Sequence, residues 1–363
     1  MCFDYFYRMK IFVAARLIFL SLVQFSCHEK TENTQKQVDT LSQKDLADPQ
    51  IKALTDKIQG DPDNPENYFL RSNVFLANNN IKAAFSDLSM AIALDSSNNK
   101  YYFAMADLSL KGGSADAALV AFNQILHRDP KNKQALIKLS KVYFFQKDYS
   151  QSLIQLAKVE ELDKNNAEEW FVRGLNLKEM GDTVRAVASF QKAVTIKQDF
   201  YDAYVQLGLL SSKKPSQIAA QYFDNAIHID SSNVEAMYDK GKFFQDRGDA
   251  AYDKNNFTRA NDNYEKAKAV YHELIAQNPQ YQYSYFNLGF IYVRQDSLDK
   301  AYRMFDYAIR VSPSYAEAYY YRGLVSLEKR NKDQAKADFQ QALTLKPDYQ
   351  LAQKELNNLE SHK

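Results

Sequence analysis

One short pattern returns through this chain about every 34 residues, and it decides what the chain can fold into. The anchors Tyr68, Tyr102, Leu136, Trp170 and Tyr204 are evenly spaced. Met237 arrives one place early, Tyr285 follows after a longer gap, and Tyr319 returns to the regular interval. Four places after each anchor stands a small residue: Ser72, Ala106, Ser140, Gly174, Gly208, Gly241, Gly289 and Gly323. Further on come Ala84, Ala118, Ser152, Ala186, Ala219, Ala267, Ala301 and Ala335, each followed four places later by Leu88, Phe122, Leu156, Phe190, Phe223, Tyr271, Phe305 or Phe339. A chain built this way has no single globular core. Each unit must bury its apolar face against its neighbours, and function lies in the surface the units make together.

Within each half-unit, apolar residues recur at i, i+3, i+4 and i+7, the signature of an amphipathic helix. Turn formers separate the halves, as at Asn78-Asn79-Asn80, Gly112-Gly113, Lys147-Asp148, Gly181-Asp182 and Asn331-Lys332. Prolines 130, 279, 313 and 347 close units, because proline cannot continue a helix. The spacing predicts eight helix pairs, at 65–98, 99–132, 133–166, 167–200, 201–233, 234–281, 282–315 and 316–349. One amphipathic helix with Ile51, Leu54 and Ile58 caps the front (48–64), and a helix with Leu351, Leu356 and Leu359 caps the end (350–363).

The pattern resembles the tetratricopeptide repeat. Tyr285, Leu288, Gly289, Tyr292, Ala301, Phe305, Ala308 and Pro313 carry it almost completely in the seventh unit, and Tyr319, Gly323, Ala335, Phe339, Ala342 and Pro347 carry it in the eighth. The first three units depart, with Ser72, Ala106 and Ser140 in place of glycine. The resemblance implies an all-α fold, a right-handed superhelical solenoid of antiparallel helix pairs. It also implies a concave face lined by the first helix of each unit. On that face would stand the residue after each anchor: Phe69, Phe103, Ile137, Phe171, Val205, Tyr238, Phe286 and Tyr320. An aromatic groove of this kind suits an extended peptide or a partner helix. Of the Lys and Asn side chains with which some relatives clamp a terminal carboxylate, only Asn73 and Lys138 have counterparts here, which argues against that clamp.

The sixth unit is the long one. After Gly248 it gains about 14 residues, the length of two extra turns in each of its helices at about 3.6 residues per turn. Apolar positions continue through the added stretch, so both helices are expected to lengthen by roughly 10 Å at about 1.5 Å per residue. The result would be a projecting hairpin bearing Tyr252, Phe257 and Tyr264. It is either a neutral insertion or a knob for a partner.

Composition removes other functions. Forty-six basic and 45 acidic residues are well mixed and no basic stripe occurs, which excludes a nucleic-acid footprint. His28, His127, His228, His272 and His362 show no metal-ligand spacing, and no phosphate loop or nucleophile elbow is present. A non-catalytic protein with no cofactor, metal or small-molecule substrate is expected.

The N-terminus reads as an address. Arg8, Lys10 and Arg16 precede the apolar run Leu17–Phe25, and the chain turns polar after Cys27. A small residue followed by cysteine at this point resembles a bacterial lipoprotein signal, with Cys27 as the lipidated residue. Gln24 departs from the aliphatic residue usual three places earlier. Residues 1–26 would be the signal, with Met9 an alternative start, and 27–47 a flexible tether. The resemblance implies an outer-membrane lipoprotein facing the periplasm of a Gram-negative cell. Soluble periplasmic or cytoplasmic placement is the alternative. The function expected is a protein–protein scaffold or adaptor; a soluble co-chaperone-like adaptor and a regulatory subunit of an envelope or secretion enzyme complex remain open.

Overall fold

A computed structural model describes residues 42–213 and 217–361. Cys27, the signal segment and most of the expected tether lie outside the described residues. The described residues form helices and no strands. A short helix α1 (Gln43–Leu46) and the capping helix α2 (Pro49–Gly60) lead into eight pairs. They are α3 (Pro65–Ala77) with α4 (Ile81–Leu94), α5 (Asn99–Lys111) with α6 (Ala115–Arg128), α7 (Lys133–Phe145) with α8 (Tyr149–Leu162), and α9 (Ala167–Glu179) with α10 (Thr183–Ile196). Then come α11 (Tyr201–Ser212) with α12 (Ile218–Ile229), α13 (Val234–Tyr252) with α14 (Phe257–Gln277), α15 (Gln282–Arg294) with α16 (Leu298–Val311), and α17 (Ala316–Glu328) with α18 (Lys332–Leu345). The last helix is α19 (Gln350–Ser361). The helices fall into two compact units, up to Asn176 and from Leu177. Inside each, every helix packs on the next in chain order, from α2 to α8 in the first and from α10 to α19 in the second.

The turn inside seven of the eight pairs is built the same way. Asn79, Gly113, Lys147, Gly181, Asn255, Asp296 and Arg330 all have positive φ, from 54° to 82°. The next residue sends its N–H back five residues, as Asn80 does to the Phe75 carbonyl (2.8 Å) and Asn331 to the Ser326 carbonyl (2.8 Å). This closes the first helix in a Schellman motif. That same residue then caps the second helix: the Asn80, Asp148, Asp182, Asn256 and Asn331 side chains each accept a backbone N–H of its first turn. Terminator and cap thus share one residue, and the helices return antiparallel.

What fixes the distance between paired helices is a missing side chain. A Cβ built on Gly208 would lie 2.5 Å from the Phe223 ring, on Gly241 2.5 Å from Tyr271, on Gly289 2.7 Å from Phe305 and on Gly323 2.7 Å from Phe339. All four rings are fully buried. Where serine replaces glycine, at Ser72 and Ser140, the ring position holds Leu88 and Leu156 instead, so volume is conserved across the contact. Ser140 adds a polar tie, its carbonyl accepting the Ser152 hydroxyl at 2.8 Å. Ala106 opposite Phe122 breaks this compensation, and nothing in the structure explains it.

The same insertion-tolerant logic runs through the long pair. α13 and α14 have 19 and 21 residues, against 13 and 14 in the seventh unit. Gly248 repeats the contact, its built Cβ 2.5 Å from Tyr264. Gly248 stands two turns beyond Gly241, and Tyr264 two turns before Tyr271, as antiparallel packing requires.

Buried ion pairs stand in the first, fourth and last helix pairs; in the fourth, Arg173 meets the fully buried Glu169 one turn earlier on α9 (2.6 Å). Arg71 in α3 is fully buried and forks onto Asp87 in α4 (Nε–Oδ2 2.7 Å, Nη2–Oδ1 2.8 Å), while its Nη1 donates to Thr55 of the cap (3.0 Å). Arg322, at the same repeat position, forks onto Asp338 (3.0 and 2.6 Å) and reaches back to Asp306 of the preceding pair (2.6 Å). At the C-terminal end Ala352 is buried beside Phe339 and Ala342, with Leu356 and Leu359 packed around them. Leu351, expected on that face, is 53% exposed. At the N-terminal end the expected tether becomes helical at Gln43, and Asp45 accepts from the Asn80 side chain (3.2 Å).

Two stability outcomes follow. Gly323→Leu should cost about 1–3 kcal/mol by overpacking Phe339. Gly323→Ser combined with Phe339→Leu should lose less than the sum of the single changes, because it recreates the pairing at Ser72 and Leu88. Urea midpoints of the three variants give the coupling. Arg71→Met, which strands the buried Asp87, should cost about 3–5 kcal/mol, and adding Asp87→Leu should restore most of it. Equal midpoints for the single and double variants would refute that assignment.

Candidate partner-binding face

The residue after each anchor does not form one open row. Ile137, Val205 and Tyr320 are buried, at 5%, 2% and 7% exposure, which corrects the expectation that they line a groove. Phe69, Phe103, Phe171, Tyr238 and Phe286 are half-buried. Ile137 packs with Leu136 and Val159, and Val205 with Ala226 and Ala236; the sixth to eighth helix pairs use a different contact. There an aromatic just ahead of the following helix folds over this position: Tyr281 on Tyr238 (5.7 Å between rings), Tyr315 on Phe286 (5.1 Å) and Tyr349 on Tyr320 (5.1 Å). Tyr281, Tyr315 and Tyr349 are themselves spaced by the repeat period, a second periodic signal that reading only the anchors misses.

The two units present different faces. In the first, acids and lysines of neighbouring helix pairs neutralise each other: Lys100 with Glu66 (2.7 Å), Lys138 with Asp107 (2.8 Å) and Lys141 with Glu168 (2.7 Å). Lys100 also stands 4.3 Å over the Phe69 ring, and Phe103 lies edge-on to Phe122 at 6.1 Å. Lys138, one of the two clamp-like residues, is therefore engaged by Asp107.

In the second unit the face is aromatic. Tyr238, Tyr281, Tyr283 and Tyr315 run ring to ring, with Tyr281–Tyr283 at 5.4 Å and Tyr283–Tyr315 at 5.6 Å. Tyr321 continues the band, 5.4 Å from Phe286 and 5.9 Å from Phe290. Tyr283 is 40% exposed, and Phe290 and Tyr321 are half-buried. At one end stand Glu235 and Asp239, one turn apart on α13. Burial, aided by the Glu235 charge, pushes the Asp239 carboxyl up from 3.8 to about 6. Burial and the neighbouring tyrosines push the Tyr281 phenol up to about 12.

The extended hairpin is docked along its length. Tyr264, expected on a projecting knob, is fully buried beneath Gly248, and its hydroxyl donates to Asp249 (2.7 Å). Tyr252 is half-buried, with Arg294 of α15 stacked 5.0 Å over its ring. Phe257 is 52% exposed and meets Tyr252 edge-on at 5.3 Å. Between the hairpin tip and the α15–α16 turn lies a cleft of about 550 Å³, lined by Tyr252, Phe257, Asn261, Glu265, Arg294, Gln295 and Ser297. Gln295 crosses it to Asn261 (3.2 Å) and Glu265 (3.3 Å).

Comparison with known proteins fits this architecture. Residues 109–171, 167–200 and 316–349 match the tetratricopeptide repeat family. The chain carries tetratricopeptide repeats, and its fold is the all-α repeat fold of such proteins. The C-terminal part of a TPR repeat-containing protein from Cytophaga hutchinsonii superposes with a TM-score of 0.54 at 20% identity, over 71% of this chain and 99% of that one. A tetratricopeptide repeat protein from Parabacteroides merdae gives 0.48 at 18% identity, over 72% and 98%. Among curated proteins, mouse DnaJ homolog subfamily C member 3 is 29% identical over 168 residues, 42% of this chain and 33% of the mouse protein. The chain thus spans about a third of the length of that relative. Among the described residues no helix is long and apolar enough to cross a membrane.

Asp239 makes a pH prediction. Its folded-state value lies above that of an unfolded aspartate, so its ionised form weakens the fold, and this penalty grows as pH rises from about 4 through 6. Asp239→Asn should therefore stabilise the protein at about pH 7.5, with the gain shrinking towards about pH 4. Melting curves of both proteins across this range check it; a gain independent of pH would contradict it.

Proposed function

We propose that this protein is a non-catalytic scaffold that holds a partner polypeptide against the aromatic face of its second unit, and that it is exported and lipid-anchored through Cys27. The observation that carries the binding reading is the partly exposed tyrosine–phenylalanine band from Tyr238 to Tyr321. Aromatic rings fixed edge to face offer large contact area at low entropic cost, and such surfaces suit an extended peptide or an amphipathic helix. The anchor reading rests on the sequence alone: a basic start, a short apolar run and Ser26-Cys27 ahead of a polar segment. Placement on the periplasmic side of the outer membrane follows from that reading.

The two parts separate experimentally. Cys27→Ala should move the protein from the membrane to the soluble fraction and abolish incorporation of labelled fatty acid. Membrane retention with no label in the wild type would refute the anchor. Tyr283→Ala with Phe290→Ala should leave the melting curve within about 1 kcal/mol of wild type, since both rings are partly exposed. Partner capture by affinity purification from detergent-solubilised membranes should fall sharply. Undiminished capture would place the binding surface elsewhere.

A further inference from the structure

Glu235 differs from the other glutamates at its repeat position in one respect. Two places before the anchor, the first, fourth and eighth helix pairs carry Glu66, Glu168 and Glu317. Each has a lysine: Lys100 at 2.7 Å, Lys141 at 2.7 Å and Lys346 at 3.1 Å. The sixth pair carries Glu235 at that position. The three places that supply lysine elsewhere are occupied around it by Tyr283, Leu209 and Asn278. Among the described residues no cation lies within ion-pair distance of Glu235 or Asp239. Asp239 is half-buried, accepts no hydrogen bond among the described residues, and feels the like charge of Glu235.

In place of lysine this part of the fold holds rings. Tyr238 lies 5.7 Å from Tyr281 and 6.1 Å from Tyr283, and Tyr283 keeps 40% of its surface open. Tyr238 stands between Glu235 and Asp239 on α13 and touches both Tyr281 and Tyr283, so acids and rings share one neighbourhood, and both carboxylates act on the Tyr281 phenol. Ring faces are electron-rich, and they attract a cation before any carboxylate is counted. A pair of carboxylates, one exposed and one half-buried, beside partly open phenol rings is complementary to an ammonium or guanidinium group on a flexible stem, whose methylenes can lie on the rings.

We propose that Glu235, Asp239, Tyr238, Tyr281 and Tyr283 form a subsite for a lysine or arginine side chain of a basic partner peptide. It rests on the reading of the chain as a peptide-binding scaffold and names the charge of what is bound. The cation supplies from outside what a neighbouring lysine supplies at Glu66, Glu168 and Glu317.

Selection of a random-peptide display library on the purified, detergent-solubilised full chain tests this. Wild type should enrich peptides with Lys or Arg at one fixed position. Glu235→Gln with Asp239→Asn, which replaces the charges and keeps the shape, should still melt cooperatively and still select peptides, without that preference. By fluorescence anisotropy, the best wild-type peptide should lose about tenfold in affinity on the double variant. Replacing its basic residue by norleucine should cost the same factor on wild type and nothing further on the variant. Tyr283→Phe should retain most of the affinity and Tyr283→Ala should not. Peptides selected without basic preference would overturn the subsite and leave the scaffold reading standing. A preference that survives in the double variant would overturn the residue assignment. No selected peptide at all would overturn both.

Discussion

Everything in this protein hangs on how closely two helices of a pair can approach. Within each compact unit that distance is set by one position per pair, where glycine, or a small residue, faces a buried ring or leucine. With a Cβ, Gly323 would run into Phe339 at 2.7 Å. Without it, the ring seals the contact and the second helix takes a fixed height against the first. Because the contact is local, the fold grows by adding pairs, and a pair grows by adding another contact: Gly248 with Tyr264 does this two turns beyond Gly241 with Tyr271.

The polar interior follows the same periodicity with a different purpose. At the position three after the anchor, the third, fifth and seventh pairs place Leu139, Leu207 and Leu288 in the core. The first and eighth place Arg71 and Arg322, each forked onto an aspartate of the partner helix. These pairs stand next to the two capping helices, and Arg71 uses its remaining donor on Thr55 of the cap. A buried fork of this kind adds little net stability over an apolar pair, but it is intolerant of misalignment.

The long sixth pair shows why an insertion need not project. Its extra turns bury Tyr264 and set Tyr252 under Arg294 of the next pair, so the added length thickens the wall instead of standing free. The exposed remainder is Phe257 and a polar cleft. In the aromatic face nearby, Tyr283 is flanked by Tyr281 at 5.4 Å and Tyr315 at 5.6 Å and still keeps 40% of its surface open.

The period of the sequence alone determined the helix pairs, their turns and the small-to-large contacts. These depend on residues within one unit, whose spacing is fixed by about 3.6 residues per turn. Sequence also located the insertion after Gly248 and the break at Cys27. It could not decide which residue after an anchor would face solvent. That depends on what the neighbouring helices bring: Val159 to Ile137, Ala226 and Ala236 to Val205, and the rings of Tyr281, Tyr315 and Tyr349 to Tyr238, Phe286 and Tyr320. Nor could it distinguish an acid with a lysine from one without, because Glu66 and Glu235 are equivalent in the repeat. Only packing brings Lys100 to the first and Tyr283 to the neighbourhood of the second. Contacts within a helix pair are written in the local pattern; contacts between pairs are settled by side chains most of a repeat apart, and the tertiary structure alone sets them.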